Sequence, residues 1–312
     1  MSTITTKIMT YKIRCLMLAF GLLASLGWAQ QTAQYTDYMY NTGLINPGYS
    51  GSRGTATITG LHRSQWMGID GAPSTQSFNF DTNFLNRNTG LGLAVDNDVA
   101  GPAKQTGLTV NYAYRLNFSD NYTLSLGISG SLDFLDVDVS QLTTEQPETI
   151  EANNGMTPNV GVGAFFYSNR AYLGFSVPRL LKSSYFDSVN TFTSLDVLTH
   201  FYLIGGVVLD LDSNIKFKPA FLAKAVSGAP LAADLSANFL FNDKFTLGAA
   251  YRWDAAVSLL AAFQITDKLL IGSAYDKDIN GFGALNNGSF EVFLKFNFKR
   301  ERQRFIRNPR FF

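Results

Sequence analysis

The chain has 312 residues, of which 46% are hydrophobic and only 16% charged, with 26 Phe, 14 Tyr and 27 Gly. Mean hydropathy is nevertheless +0.02, and the one long apolar run lies at the N-terminus, which excludes a bundle of membrane helices, each needing about 20 apolar residues. A net charge of +1 and a single cysteine give no basic field for nucleic acid and no disulfide framework or paired-cysteine zinc site.

The first element is an export signal. Lys7, Lys12 and Arg14 precede an apolar stretch from Cys15 to Leu26, and Gly27-Trp28-Ala29 places small residues before a cleavage point. Residues 1–29 are expected to be removed, leaving Gln30 as the mature N-terminus and no thiol. The mature chain then holds 22 basic and 24 acidic residues, with six of the basic ones in the terminal segment Lys299–Phe312.

Residues 30–53 are polar and aromatic without a clear period. Fourteen stretches that alternate apolar and polar residues follow, the pattern of half-buried strands. They span Thr55–Arg63, Gln76–Leu85, Thr89–Asn97, Gln105–Leu116, Tyr122–Leu135, Pro158–Tyr167, Ala171–Val177, His200–Asp210, Lys216–Lys224, Leu231–Leu240, Phe245–Arg252, Ala256–Ile265, Leu269–Tyr275 and Phe290–Phe298. In the fourth, Leu108, Val110, Tyr112, Tyr114 and Leu116 share one face, and Thr109, Asn111, Ala113 and Arg115 share the other. A charge facing hydrocarbon costs about 2–4 kcal/mol at the bilayer midplane, so the polar face is the lumen. Two strands depart from the pattern. Phe293 breaks the alternation of the last, and Ala256–Ile265 is apolar on both faces, as a strand packed against something inside a barrel would be.

Short Asn-, Asp- and Ser-rich turns follow strands two, four, six, eight, ten and twelve, including Asn242-Asp243-Lys244. The other gaps read as longer, Asp98–Lys104 among them. An even strand number with this phase puts both termini on the periplasmic side, as in bacterial outer-membrane barrels. The fold expected is all-β: a transmembrane antiparallel β-barrel of about 14 strands over residues 54–298, an N-terminal plug or periplasmic segment over 30–53, and a basic periplasmic tail over 299–312. A barrel this wide needs a filler or conducts water, and residues 30–53 are a candidate filler, entering from the periplasm.

Sites of chemistry are scarce. His62 and His200 are the only histidines, neither in metal-ligand spacing, and each reads as a rim or lumen residue. No Gly-x-Ser-x-Gly elbow or phosphate loop is present. No cofactor, metal or catalytic residue is expected. Asp133, Asp136 and Asp138, with Glu145, Glu148 and Glu151, read as a solvated acidic loop, because the glycine of a calcium loop is missing. The loop containing Trp66, Gly68 and Pro73 reads equally as a tight turn with an aromatic-girdle Trp or as a constriction or partner-facing loop. In the tail, Arg300, Arg302, Arg304 and Arg310 are candidates for docking an acidic periplasmic partner.

One set of motifs is specific in combination: Gln34-Tyr35-Thr36-Asp37-Tyr38-Met39-Tyr40-Asn41, Ile45-Asn46-Pro47-Gly48-Tyr49-Ser50-Gly51-Ser52, Arg63-Ser64-Gln65-Trp66, Gly71-Ala72-Pro73, Gly90-Leu91-Gly92, Asn111-Tyr112-Ala113-Tyr114-Arg115 and the ending Asn308-Pro309-Arg310-Phe311-Phe312. With these the chain resembles the PorP/SprF family, outer-membrane proteins of the type IX secretion system, over essentially its whole mature length. It departs at Thr42-Gly43-Leu44, where members usually carry proline and leucine. The resemblance implies a non-enzymatic barrel that binds secreted cargo with a type B C-terminal domain, such as gliding adhesins. It also implies other type IX secretion components as partners, in outer-membrane lipid. A solute channel is the alternative. The resemblance carries over no catalytic residue. It makes Gln34, Tyr35, Tyr38, Met39, Asn41, Asn46, Pro47, Tyr49 and Gly51, with Trp66, Gly68 and Pro73, candidates for plugging or partner contact.

Overall fold

The computed structural model describes residues 35–84, 87–138, 155–181, 198–227 and 229–298. The expected signal, Gln34, Glu145, Glu148, Glu151 and the tail with Arg300, Arg302, Arg304 and Arg310 lie outside the described residues. The strands are β1 Thr57–Ser64, β2 Ser74–Asn83, β3 Thr89–Ala100, β4 Ala103–Asn117, β5 Thr123–Val137, β6 Gly155–Tyr167, β7 Ala171–Val177, β8 His200–Val207, β9 Leu209–Asp210, β10 Ile215–Val226, β11 Ala232–Phe241, β12 Phe245–Arg252, β13 Ala256–Gln264, β14 Leu269–Asp278 and β15 Ser289–Asn297. β8 and β9 form one stave interrupted at Val208, whose amide turns to the Arg170 carbonyl (2.6 Å). The wall therefore has fourteen staves, each antiparallel to the next. β1 closes it against β15, in register from Thr57 opposite Asn297 to Ser64 opposite Phe290. Closure leaves no edge amide facing lipid, where each would cost several kcal/mol.

The burial pattern is the reverse of a water-soluble protein's. Thr57, Asn79, Asp81, Asn111, Glu291 and Lys295 are buried, whereas Leu93, Val110, Ile128, Phe175, Leu247 and Leu294 are exposed on the outer face. Every stave overlaps a predicted strand, and period two holds in each. Two details differ from the sequence reading. The gap Asp98–Lys104, expected to be long, is tight: β3 and β4 meet across Gly101-Pro102. Asp98, expected to open that gap, continues the β3 ladder opposite Gln105. Beyond the hydrocarbon the backbone ladder no longer needs apolar side chains. The outer face there is polar: His62, Gln76, Asn97 and Thr106 lie side by side on four adjacent strands, with Gln76 Oε1 accepting from Asn97 (3.1 Å) and Asn97 Oδ1 from Thr106 (3.1 Å). His62 belongs to this belt and is exposed.

The short-turn rim matches expectation. Asn242 and Asp243 adopt φ of 51° and 52°, the left-handed backbone that Asn and Asp tolerate in a tight hairpin.

Candidate functional site: the plugged lumen

Residues 35–53 lie inside the barrel. They form one α-helical turn, Thr42–Ile45, and a 3-10 turn, Pro47–Tyr49, in otherwise irregular chain. So short a segment cannot hold a helix by itself, and its conformation is fixed by what the wall offers. It runs from the long-loop half of the lumen, where Thr36 meets Asp276 and Glu291, to the short-turn rim, where Gly51 meets Asp81.

At its rimward end the plug is seated by shape. Asn46 is fully buried. Its Oδ1 accepts from the Gly48 amide (2.9 Å), and its Nδ2 donates to the Ala164 carbonyl (3.1 Å). Ser176 donates to the Ile45 carbonyl (2.6 Å) and Asn111 to the Gly43 carbonyl (3.0 Å). Pro47 lies over two inward-facing glycines. A Cβ on Gly127 would sit 2.4 Å from the Pro47 carbonyl carbon, and one on Gly163 would sit 2.2 Å from Asn46 Oδ1. Tyr49 meets the Phe165 ring edge-on (centroids 5.4 Å apart, 79°). Gly51, at φ 68°, is wedged between the Thr82 carbonyl and Gly90, and its amide donates to Asp81 (3.3 Å). The Thr42-Gly43-Leu44 departure supplies the helical turn, with the Gly43 carbonyl free to meet Asn111.

The middle of the plug has an apolar seat. Tyr40 stacks on Phe293 (4.2 Å, 26°). Tyr38, Met39, Leu260, Ala262 and Ala274 complete the same buried cluster. Phe293 and the doubly apolar strand β13, the two irregularities in the sequence pattern, are thus the wall's contact with the plug. Asn41 Nδ2 donates to Ser77 (2.9 Å).

The end nearer the long loops is held by charge. Arg63 donates to Asp276 Oδ2 (2.7 Å) and Glu291 Oε2 (3.0 Å), all three nearly inaccessible. The Thr36 and Asp37 amides donate to Glu291 (3.1 and 2.9 Å), the Thr36 hydroxyl to Asp276 (2.6 Å), and Lys295 Nζ to the Tyr40 carbonyl (3.4 Å). Asp37 is itself buried beside these acids. Burial, then the Glu291 and Asp276 charges, hold its carboxyl well above the ordinary carboxylate range, against the opposing pull of Arg63. Arg63, Asp276, Glu291 and Lys295 were not singled out as a site from the sequence. Their signal was present, since each is a charge on the lumen face of an apolar-alternating strand.

The long-loop rim carries the other sequence candidates. Trp66 stands edge-on to Phe282 (5.0 Å, 73°), and Met67 exchanges backbone bonds with Gly288 and Asn287 (2.8 Å each). Gly68 has φ 92°, and a Cβ there would lie 2.7 Å from Asn287 Nδ2. Pro73 closes the loop by accepting from the Gln65 amide (2.9 Å). Trp66 and Gly68 are thus brought against the β14–β15 loop, and Pro73 against its own loop. Asp133 faces inward and is paired with Arg179 through two bonds (2.9 and 2.6 Å). No cluster of three metal-ligating side chains occurs among the described residues.

A closed fourteen-stave barrel, apolar outside, polar inside and filled by its own N-terminal segment, defines an outer-membrane β-barrel protein. The family model for the type IX secretion system membrane protein PorP/SprF matches residues 28–296, and the chain belongs to that family. No curated protein matches it. Among solved structures, the CymD monoaromatic hydrocarbon channel is similar in fold (TM-score 0.50, 8% identity, covering 84% of this chain and 94% of that one). The Acinetobacter baumannii outer membrane protein Omp33 gives a TM-score of 0.45 at 12% identity, covering 79% of this chain and 100% of that one. A Pseudomonas aeruginosa FadL homologue gives 0.41 at 13%, covering 78% and 89%.

Proposed function

We propose that the protein is a sealed docking barrel. It binds secreted cargo with a type B C-terminal domain, such as a gliding adhesin, at its long-loop face and supports that cargo's export or surface anchoring, without catalysis of its own. Family membership supports the setting, since other type IX secretion components are the partners of such a barrel. The observation that carries the reading is the plug: residues 35–53 fill the lumen and bond to the wall along their length, so the outer rim is left as the working surface. In this reading both termini are periplasmic, and Arg300, Arg302, Arg304 and Arg310 dock an acidic periplasmic partner. Removing Lys299–Phe312 then depletes specific partners from crosslinked outer membranes.

The deciding experiment is affinity capture of the full chain from native outer membranes, followed by mass spectrometry and a surface assay of the captured cargo. Co-purification of a type B cargo, and its loss from the surface on deletion, are expected; surface retention unchanged by deletion removes the reading. The rival is a solute channel, which requires the intact protein to conduct in a planar bilayer. Deleting Gln34–Ser52 is expected to give conductance without preventing insertion.

A further inference from the structure

Above the plug, in the long-loop half of the lumen, a cavity of about 80 Å³ lies between Tyr35, Ile45 and the inward faces of β3–β5 and β8. One ordered water needs roughly 10–15 Å³ measured this way, so the space holds several waters or a compact polar head group. Its lining is unbalanced in charge. Asp96 and Asp98 face it, and its one basic side chain, Arg179, is already bound through two bonds to Asp133. Asp98 accepts from Thr75 (2.5 Å), and the positive charge acting on Asp96 is that of the same Arg179.

A second observation comes from the opposite wall. His200 is 95% buried, and it lines the same cavity. Its Nδ1 lies 2.8 Å from the Leu198 carbonyl, which can only accept, so the proton sits on Nδ1. Nε2 of the neutral ring is then a bare lone pair, buried and without a partner. The lining also carries two aromatic rings, Tyr35 and Tyr202, the latter stacked with His200 (6.3 Å, 15°). Lys224, cross-strand from Tyr202, is outside the lining. Carboxylates, an acceptor nitrogen and aromatic faces around a space whose one cation is already paired are complementary to a positive charge that brings its own N–H donors.

We propose that this cavity binds an organic cation with N–H donors, a guanidinium or primary ammonium group, between Asp96, Asp98 and His200. Two sources offer that chemistry: an arginine or lysine side chain on a docked polypeptide, which rests on the function proposed above, and a free amine, which does not.

The test is calorimetric titration of the folded full-length barrel in detergent. Four probes are used: arginine amide, 1,4-diaminobutane, the N-acetylated and C-amidated peptide Gly-Gly-Arg-Gly-Gly and the same blocked peptide with Gln for Arg, which carries no ammonium. Saturable binding of the cationic probes but not of the Gln peptide is expected. Asp96→Asn should weaken it about tenfold, the size of one lost charged hydrogen bond, and Asp96→Asn with Asp98→Asn should abolish it. His200→Gln, which keeps an acceptor, should retain more binding than His200→Leu. Tighter binding of the peptide than of the free amines assigns the polypeptide source, and the reverse order assigns the free amine. Absence of saturable binding, or binding that the folded double variant retains, overturns the proposal. Cargo retention untouched in a double variant that has lost arginine amide leaves the site standing and detaches it from the cargo.

Discussion

The two ends of the plug are held by different physics. From Thr42 to Tyr49 the segment is fixed by neutral bonds to backbone carbonyls and by glycines that leave room for it, before Ser50 and Gly51 reach Arg115 and Asp81. At Thr36, Asp37 and the Tyr40 carbonyl it meets buried charged groups: the Arg63 guanidinium, the Asp276 and Glu291 carboxylates and the Lys295 ammonium. Neutral bonds and close packing respond little to salt or pH. A buried ionic cluster is stable only while its charge balance holds, and removing one member leaves the rest uncompensated. The two ends should therefore come loose separately, the ionic end first. That end is also the one beside the cavity and the long loops.

The largest effect is expected at Arg63. Arg63→Met removes the one cation that, among the described residues, bonds directly to Asp276 and Glu291, with a loss of about 3–5 kcal/mol. Hydrogen exchange should show protection lost over residues 35–41 and kept over 42–53; equal loss at both ends would merge the two regions into one cooperative unit. Gly163→Val comes next and tests the other end. Its added carbons fall on Asn46 and Pro47, neither of which can swing aside, for an overpacking cost of about 1–3 kcal/mol. Here residues 42–53 should lose protection and the urea midpoint of the barrel should fall.

How much of this was legible beforehand follows from what carries each part. The wall was readable because lipid outside and polar filling inside impose period two on every stave, and local alternation survives in the sequence. Even the exceptions were informative, since Phe293 and the apolar face of β13 are where the wall meets Tyr40. The upper reach of the strands was not readable. Asp98 and Lys104 read as the two ends of a longer gap, and only the pairing of Asp98 with Gln105 and of Val99 with Lys104 shows that they are strand. The path of the plug was hidden for another reason: it has no period of its own, and its shape is dictated by residues more than 100 positions away, Ala164 and Glu291 among them. For Trp66, Gly68 and Pro73 two readings stood open; Trp66 and Gly68 lie against Phe282 and Asn287 of a neighbouring loop on the long-loop rim, and Pro73 bonds within its own loop.

A smaller effect is expected from Asn46→Ala. It removes the bond to the Ala164 carbonyl and the one that closes the 3-10 turn. About 1–2 kcal/mol should be lost, without any dependence on pH between mildly acidic and neutral solution, because no titrating group takes part. Urea titrations at two pH values check both statements.

Asp37→Asn gives the smallest effect at one pH and the sharpest contrast between the ends. Docking the plug raises the Asp37 carboxyl above its value in the free segment, through burial and the neighbouring Glu291 and Asp276 charges. The docked state therefore binds the proton more tightly. Its contribution is fully present below the ordinary carboxylate range, about pH 4, and is lost as pH rises towards the elevated docked value. Exchange protection of residues 35–41, corrected for intrinsic rates, should accordingly fall as pH is raised from about 4 towards neutrality, while that of residues 42–49, which bond to no titrating side chain, stays level. Asparagine keeps the shape without the charge, so Asp37→Asn should flatten the first profile and leave the second unchanged. A wild-type profile that rises with pH would mean that Asp37 docks as a carboxylate and that Arg63 outweighs burial, and the ionic end would then be tightened by the conditions expected to loosen it.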